Sequence, residues 1–253
     1  MLSSSNSGAI TFGNTLDGAQ NLTIDTAGVT TFNGKVGHGT ALTSLSTNNV
    51  GSVVINGGLI KTTGAQTINK AISLGADTLL RGVNVALMST VNGAKALTID
   101  DSGNTILGDI VGGTTPLTSL STDAVGQTHL KGALVHTTGD AVFRDIVKVF
   151  TDVELRTAGN LTLNNTVDGD TANTRTLTLN GSSTSAINMQ GEVGGLMALK
   201  TLDLVNSDNI AFTAAVTTGT NVVLRNATQG ISFLGSLSTP TLSVTAAPFA
   251  LTL

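Results

Sequence analysis

A chain that repeats itself folds by stacking or stringing copies of one unit, so an internal repeat constrains this sequence more than any other feature. LTSLSTNNVG at residues 42–51 returns as LTSLSTDAVG at 117–126, an offset of 75 with two substitutions. The match extends outward. NLTIDTAGVTTF (21–32) corresponds to ALTIDDSGNTIL (96–107), and KVGHGTALTSLST (35–47) to IVGGTTPLTSLST (110–122). IKTTGA (60–65) corresponds to VHTTGD (135–140), and ADTLLRG (76–82) to TDVELRT (151–157). A more diverged third copy follows, with TLTLNGS (176–182), EVGGLMALKTL (192–202) and AVTTGT (215–220). TLDG (15–18), TVNG (90–93) and TVDG (166–169) mark the same early turn in each copy.

Inside each copy runs a shorter beat. Alternating apolar–polar runs begin at 22, 42, 60, 79 and 97, and in the third copy at 177, 202, 222 and 242. Each reads as a strand with alternate side chains on opposite faces. Gly, Asn, Asp and Ser between them supply turn chemistry. Sandwich hairpins recur at roughly 8–12 residues, whereas a solenoid returns to the same place once per rung. The steady step therefore predicts one all-β parallel solenoid over 1–253, with about 12 rungs of ~20 residues. Its three copies span approximately 8–82, 83–157 and 158–253. At ~4.8 Å per strand the body is expected to run about 55–60 Å. LTSLSTNNVG is then a rung, with Leu42 and Leu45 inward, Thr and Ser outward, and an Asn-Asn turn. LTSLSTDAVG is expected to be the same rung about four turns along.

Composition agrees and excludes other classes. Charged residues are 11% of the chain, and there are 7 Phe but no Trp or Tyr. Bulky rings are expected to fit poorly in a narrow, regular bore. The 12 Lys and Arg are scattered, which argues against nucleic acid as a partner. No apolar run approaches the ~20 residues of a membrane helix, so no membrane insertion is expected. Cys is absent, so no disulfide staples the fold. MLSSSNSGAITF has neither a basic nor an apolar stretch and does not read as a signal peptide.

The string NLTIDTAGVTTFNGKVGHGTALTSLSTNNVGSVVINGGLIKTTGAQTINKAISLGADT resembles the repeats of very large bacterial surface proteins, the filamentous-haemagglutinin-like and related β-strand-repeat adhesins. The resemblance covers essentially the whole chain, more loosely in the third copy. It implies a right-handed parallel β-helix shaft, export to the cell surface, and a role in adhesion or fibre formation. The sequence departs from that family in having no recognisable N-terminal secretion domain.

Parallel β-helices also host polysaccharide lyases and hydrolases, which need carboxylates or basic groups converging in a groove. Here Asp and Glu total 16 and are dispersed. Asp17, Asp25, Asp77, Asp100, Asp101 and Asp168 read as turn formers on solvated loops. Asp168 and Asp170 in VDGDT are a calcium candidate, against which stands the absence of the calcium β-roll nonapeptide. His38, His129 and His136 lie in no metal motif, and His129 and His136 are expected outward on neighbouring strands. VGHG and VGGT open no helix, which disfavours a phosphate loop. The sequon matches at 21, 160, 164 and 226 are expected by chance in a Thr/Asn-rich chain. The TTG triplets at 62, 137 and 217 recur too rarely for an ice-binding Thr array. DAVFRDIVKVFTDVELR (140–156) is unusually charged. Read alone it suggests a helix, but its equivalence to 65–81 argues for strand–turn–strand. It is either a rung diverged on its solvent face or a local contact site.

No residue is assigned as catalytic, cofactor-binding or metal-binding, and no cofactor is expected. The sequence reads as a non-enzymatic, extracellular or cell-surface shaft. It either continues a longer solenoid or self-associates end to end by β-augmentation, because TLSVTAAPFALTL is strand-like to its last residue. The receptor is not specified. The alternative is a carbohydrate-active or carbohydrate-binding β-helix.

Overall fold

A computed structural model describes residues 1–5, 7–245 and 249–253. Among these there is no helix; short strands follow one another around a turn and pair in parallel with the turns before and after. The result is a parallel β-solenoid of about 12 turns. The chain divides into two compact units, residues 1–126 and 127–253, described in turn.

Unit 1 has three faces. The first holds strands Asn21–Asp25, Ser44–Thr47, Gln66–Ile68, Val85–Leu87 and Asn104–Leu107. The second holds Ile10–Phe12, Val29–Phe32, Ser52–Ile55, Ala71–Leu74 and Val91–Asn92. The third holds Leu59–Lys61, Thr78–Gly82, Ala96–Asp101 and Ser119–Thr122. Alternation does the sorting: in Ser52–Ile55, Val53 and Ile55 are buried while Ser52 and Val54 face out. Inward side chains line up because pairing is in register. Ile10, Thr30, Val53 and Ile72 form one column, and Ile60, Leu80 and Ile99 another. Each turn thus buries aliphatic surface against the next, worth about 25 cal/mol per Å² removed from water.

Unit 2 is built alike. One face carries Gln127–Leu130, Ile146–Val149 and Val167–Gly169. A second carries Leu134–Thr137, Val153–Thr157, Thr176–Asn180 and Leu199–Asn206. The third carries Ala141–Phe143, Leu161–Leu163, Ala186–Met189, Asn209–Phe212 and Gly230–Phe233. The stretch 140–156 is therefore three strand segments and their corners, as its equivalence to 65–81 predicts. Of TLSVTAAPFALTL, residues 241–244 and 250–252 are strands, and 246–248 lie outside the described residues.

Three expectations change. First, Leu42 and Leu45 are buried as predicted, but Thr47 is buried too, and so is its counterpart Thr122. The Thr47 hydroxyl accepts the Asn69 amide at 3.0 Å and closes a corner from inside. Second, the bore does admit rings. Phe32, Phe143, Phe212 and Phe233 are buried. Phe12–Phe32 and Phe212–Phe233 stack nearly parallel at 5.1 and 4.7 Å, because the strand spacing of ~4.8 Å sets ring on ring.

Third, one copy is not a whole number of turns. Leu45 pairs with Leu22 and next to Gln66, on the first face. Its counterpart Leu120 pairs with Leu97, on the third face. From Ser44–Thr47, the first face is revisited at Gln66–Ile68, Val85–Leu87 and Asn104–Leu107, which makes three turns. The chain then crosses the second face at Val111, paired with Val91, before reaching Ser119–Thr122. A copy is three and two-thirds turns, and LTSLSTDAVG sits one face away from LTSLSTNNVG rather than above it. The shift holds elsewhere in unit 1. Leu16 and Val36 bridge to the third face through Ile60, while their counterparts Val91 and Val111 lie on the second.

Candidate functional site

The element repeated in every copy is a clamp between neighbouring turns. In the first copy, Asp17 Oδ1 accepts the Gly39 and Thr40 amides at 2.9 and 3.2 Å. In the second, Asn92 Oδ1 accepts the Thr114 and Thr115 amides at 2.9 and 3.1 Å. In the third, Asp168 Oδ1 accepts the Leu196 and Met197 amides, both at 3.0 Å. Backbone bonds complete each clamp. Gly18, Gly93 and Gly169 donate to the Thr40, Thr115 and Met197 carbonyls. Gly37, Gly112 and Gly194 donate at 2.7 Å to the Leu16, Val91 and Val167 carbonyls. These last three glycines have φ of +71°, +74° and +71°, a left-handed conformation that side chains resist. A Cβ on Gly37 or Gly194 would also overlap the carbonyl oxygen of Lys61 or Thr217. Sequence reading saw TLDG as a turn and VGHG only as a recurring Gly pair that opens no helix. Their joint recurrence was the available signal that one holds the other.

Two acidic residues expected on solvated loops are buried. Asp168, in the third clamp, is 2% exposed, and Asp101 is 1% exposed. Asp101 accepts the Asn84, Val85 and Gly103 amides at 2.7, 2.7 and 2.9 Å, and the Thr105 hydroxyl at 3.1 Å. Burial of these carboxylates is tolerated because backbone donors surround them. Asp17, Asp25 and Asp77 are exposed and Asp100 half-buried, as turn formers should be. Asp100 pairs with Arg81 at 2.6 Å. Asp170 is bonded by Arg175 through two nitrogens, at 2.6 and 2.9 Å, and that pairing holds its carboxyl below the usual range. Asp168 and Asp170 are thus bound to different partners and do not face a common point.

One Thr of each TTG triplet is buried: Thr62, Thr137 and Thr218. Thr62 and Thr137 donate to the Gly64 and Gly139 carbonyls at 2.6 and 2.7 Å. Sequence reading missed one buried cation. Lys70 is 1% exposed, and its Nζ donates to the Thr26 carbonyl at 2.6 Å. Burial lowers its pKa, opposed by the charge of Asp25.

The outward groups concentrate on unit 2. His38 is exposed in the first clamp loop of unit 1. His129 and His136 face outward on consecutive strands, but these strands belong to different faces. His136 is in register with Arg156. Glu154 binds Arg156 through both oxygens, at 3.0 and 2.9 Å, and accepts the Asn180 amide at 2.7 Å. Burial works to raise the Glu154 pKa, yet the Asn180 and Arg156 hydrogen bonds and the Arg156 and His136 charges hold it below the ordinary range. On the same face Arg225 binds Asp203 through two nitrogens at 2.8 and 2.9 Å. The Glu154 and Asp203 carboxylates are each taken up by an arginine, and for Glu154 this favours the ionised form. They also lie on an outward sheet face, not in a groove. One surface depression, on 209–211, 229–232, 250 and 252, has no ionisable lining. Another has Asp77 alone, whose Oδ1 accepts the Ala96 amide at 2.9 Å. Among the described residues no three His, Asp or Glu side chains gather as a metal site. No family model, curated protein or solved structure matches this chain.

Proposed function

We propose that this chain is a non-enzymatic shaft segment of a bacterial surface adhesin or fibre. The observation that carries the reading is the clamp: what the sequence copies is a device for joining one turn to the next, and no convergent reactive site is copied with it. In this reading the stacked backbone bonds and aliphatic columns of each unit resist deformation, and the task of the segment is to project or to link. Antibody labelling of intact producing cells tests this, with surface signal expected and a signal confined to lysed cells overturning it. End-to-end assembly is a separate part of the proposal. Electron microscopy of the purified chain should show long uniform filaments, and monomers alone would remove it. A second reading, a carbohydrate-binding surface, is favoured by the outward Glu154–Arg156–Asn180 network on unit 2.

A further inference from the structure

One corner of unit 2 brings two lysines and a histidine together on a chain whose net charge is −4. Lys148 stands outward on Ile146–Val149, in register with His129 on Gln127–Leu130. Lys131 follows the latter strand, and its Nζ lies 5.0 Å from the centroid of the Phe150 ring. The His129 ring lies 4.8 Å from the same ring, tilted by 45°. Phe150 therefore holds an imidazole and an ammonium about itself and fixes where Lys131 presents its charge. Burial first, then the charges of Lys131 and Lys148, push the His129 pKa down, so both ammonium groups bear on one spot. Neither lysine enters an ion pair among the described residues, whereas Arg156 and Arg175 are committed to Glu154 and Asp170. Asp168 is in register with Lys148 but makes no ion pair with it, and its Oδ1 accepts the Leu196 and Met197 amides.

We propose that this corner docks a carboxylate-bearing polysaccharide, with Lys131 and Lys148 each pairing a carboxylate of the polymer. Charge complementarity supplies the attraction, and the surroundings select the occupant. Ile146–Val149 is paired on both sides, with Gln127–Leu130 and Val167–Gly169, so a peptide cannot add there as a strand. A nucleic acid needs a run of cations along its phosphates and free rings for its bases. Here two ammonium groups flank His129, and the His129 and Phe150 rings are engaged with each other and with Lys131. A uronate polymer carries one carboxylate per sugar and so offers each lysine a carboxylate of its own. Its hydroxyls can meet outward polar side chains such as Gln127, which stands at the start of its strand beside the patch. This goes beyond the carbohydrate-binding reading above, which rests on another face of the unit, and is independent of the shaft. A chain that binds no glycan leaves the shaft reading untouched, and a failure of surface labelling leaves the binding result standing.

The test is calorimetric titration of the full chain with polygalacturonate oligomers at low salt, alongside neutral dextran and inorganic polyphosphate. Binding to polygalacturonate and not to dextran is expected, weakening as salt rises. Lys131→Ala and Lys148→Ala should each weaken it about two- to fivefold, as exposed charge pairs do. The double variant should lose it, and Lys200→Ala, on the second face, should not change it. Far-UV circular dichroism checks that each variant keeps its strand signal. The double Lys→Arg variant, which preserves charge and bulk, should retain binding and serves if an alanine variant misfolds. No heat with polygalacturonate, an unchanged affinity in the double alanine variant, or equally tight polyphosphate binding through the same lysines would each overturn the proposal.

Discussion

Residues 21–47 and 96–122 lie in one unit and share most of their sequence, yet they occupy different faces of it. Copying a segment preserved how it touches the turns beside it and let its direction drift by a third of a turn. The corners show how much freedom that left. At the same point of the copy, Thr26 donates its hydroxyl to Gly8 at 2.5 Å and accepts the Gly28 amide at 3.0 Å. Its counterpart Asp101 gathers three amides and a hydroxyl. Two chemistries close equivalent corners, and they should fail unequally. Asp101→Ala strands three backbone donors and should cost about 3–5 kcal/mol. Thr26→Ala should cost about 1–2 kcal/mol. Urea unfolding of the two variants gives the comparison directly. Equal losses would mean that the corner geometry, and not the buried acceptor, sets stability there.

The three clamps sharpen the same contrast, because one geometry occurs at three depths. Asp168 is 2% exposed, Asn92 is half-buried and Asp17 is exposed. Every acceptor takes two amides, so the hydrogen-bond count is constant and burial varies. Truncation to alanine should cost about 2–3 kcal/mol at Asp168, about 1 at Asn92 and about 0.5 or less at Asp17. Exchanging the acceptors, Asp17→Asn and Asn92→Asp, should leave stability nearly unchanged, since both side chains offer the oxygen that the clamp uses. Thermal midpoints of the five variants check the ranking. A large loss on Asn92→Asp would show that charge matters there as well as geometry.

The sequence made the strands legible because alternation such as that of SVVI is local and survives divergence between copies. The number of turns followed from the beat of those strands. The phase was hidden. Paired positions are 19 residues apart between Val53 and Ile72, but 26 apart between Leu163 and Met189, so corners of different lengths absorb the mismatch. A 75-residue offset fits four short turns or fewer long ones until the pairing is known. The clamp was hidden for a related reason. Asp17 and the amides it binds are 22 and 23 residues apart, which is local only once the turns are stacked. Buried Asp101 was masked by its neighbour: in the pair Asp100–Asp101 one carboxylate faces Arg81 outside and the other turns in. The His129–Lys131–Phe150 grouping could not be seen because Phe150 sits one turn on from the residues it holds.

Lys70 and Asp145 occupy the same position of the first and second copies, and both are 1% exposed. Asp145 accepts the Thr128 hydroxyl at 2.7 Å, while Lys70 donates to the Thr26 carbonyl. Opposite charges thus fill equivalent buried corners, each with a partner of the matching kind. The lysine leaves a pH signature. Its folded-state pKa is lowered, so between that value and the unfolded value near 10.5 the unfolded chain binds the extra proton. Stability contributed by Lys70 is therefore fully present above the unfolded pKa. It is lost as pH falls through the folded pKa, below which the amine is charged in both states. The chain has no Tyr or Cys, so no phenol or thiol titration overlies this alkaline window. Lys70→Met keeps the length, removes the charge and should flatten the rise in stability toward alkaline pH. At neutral pH the change should be about 1 kcal/mol or less, because the uncharged side chain loses one hydrogen bond and escapes the desolvation cost. Denaturation midpoints measured across that window, in the parent and the variant, decide it. Parallel curves would mean that the Lys70 ammonium is as well solvated in its corner as in the unfolded chain.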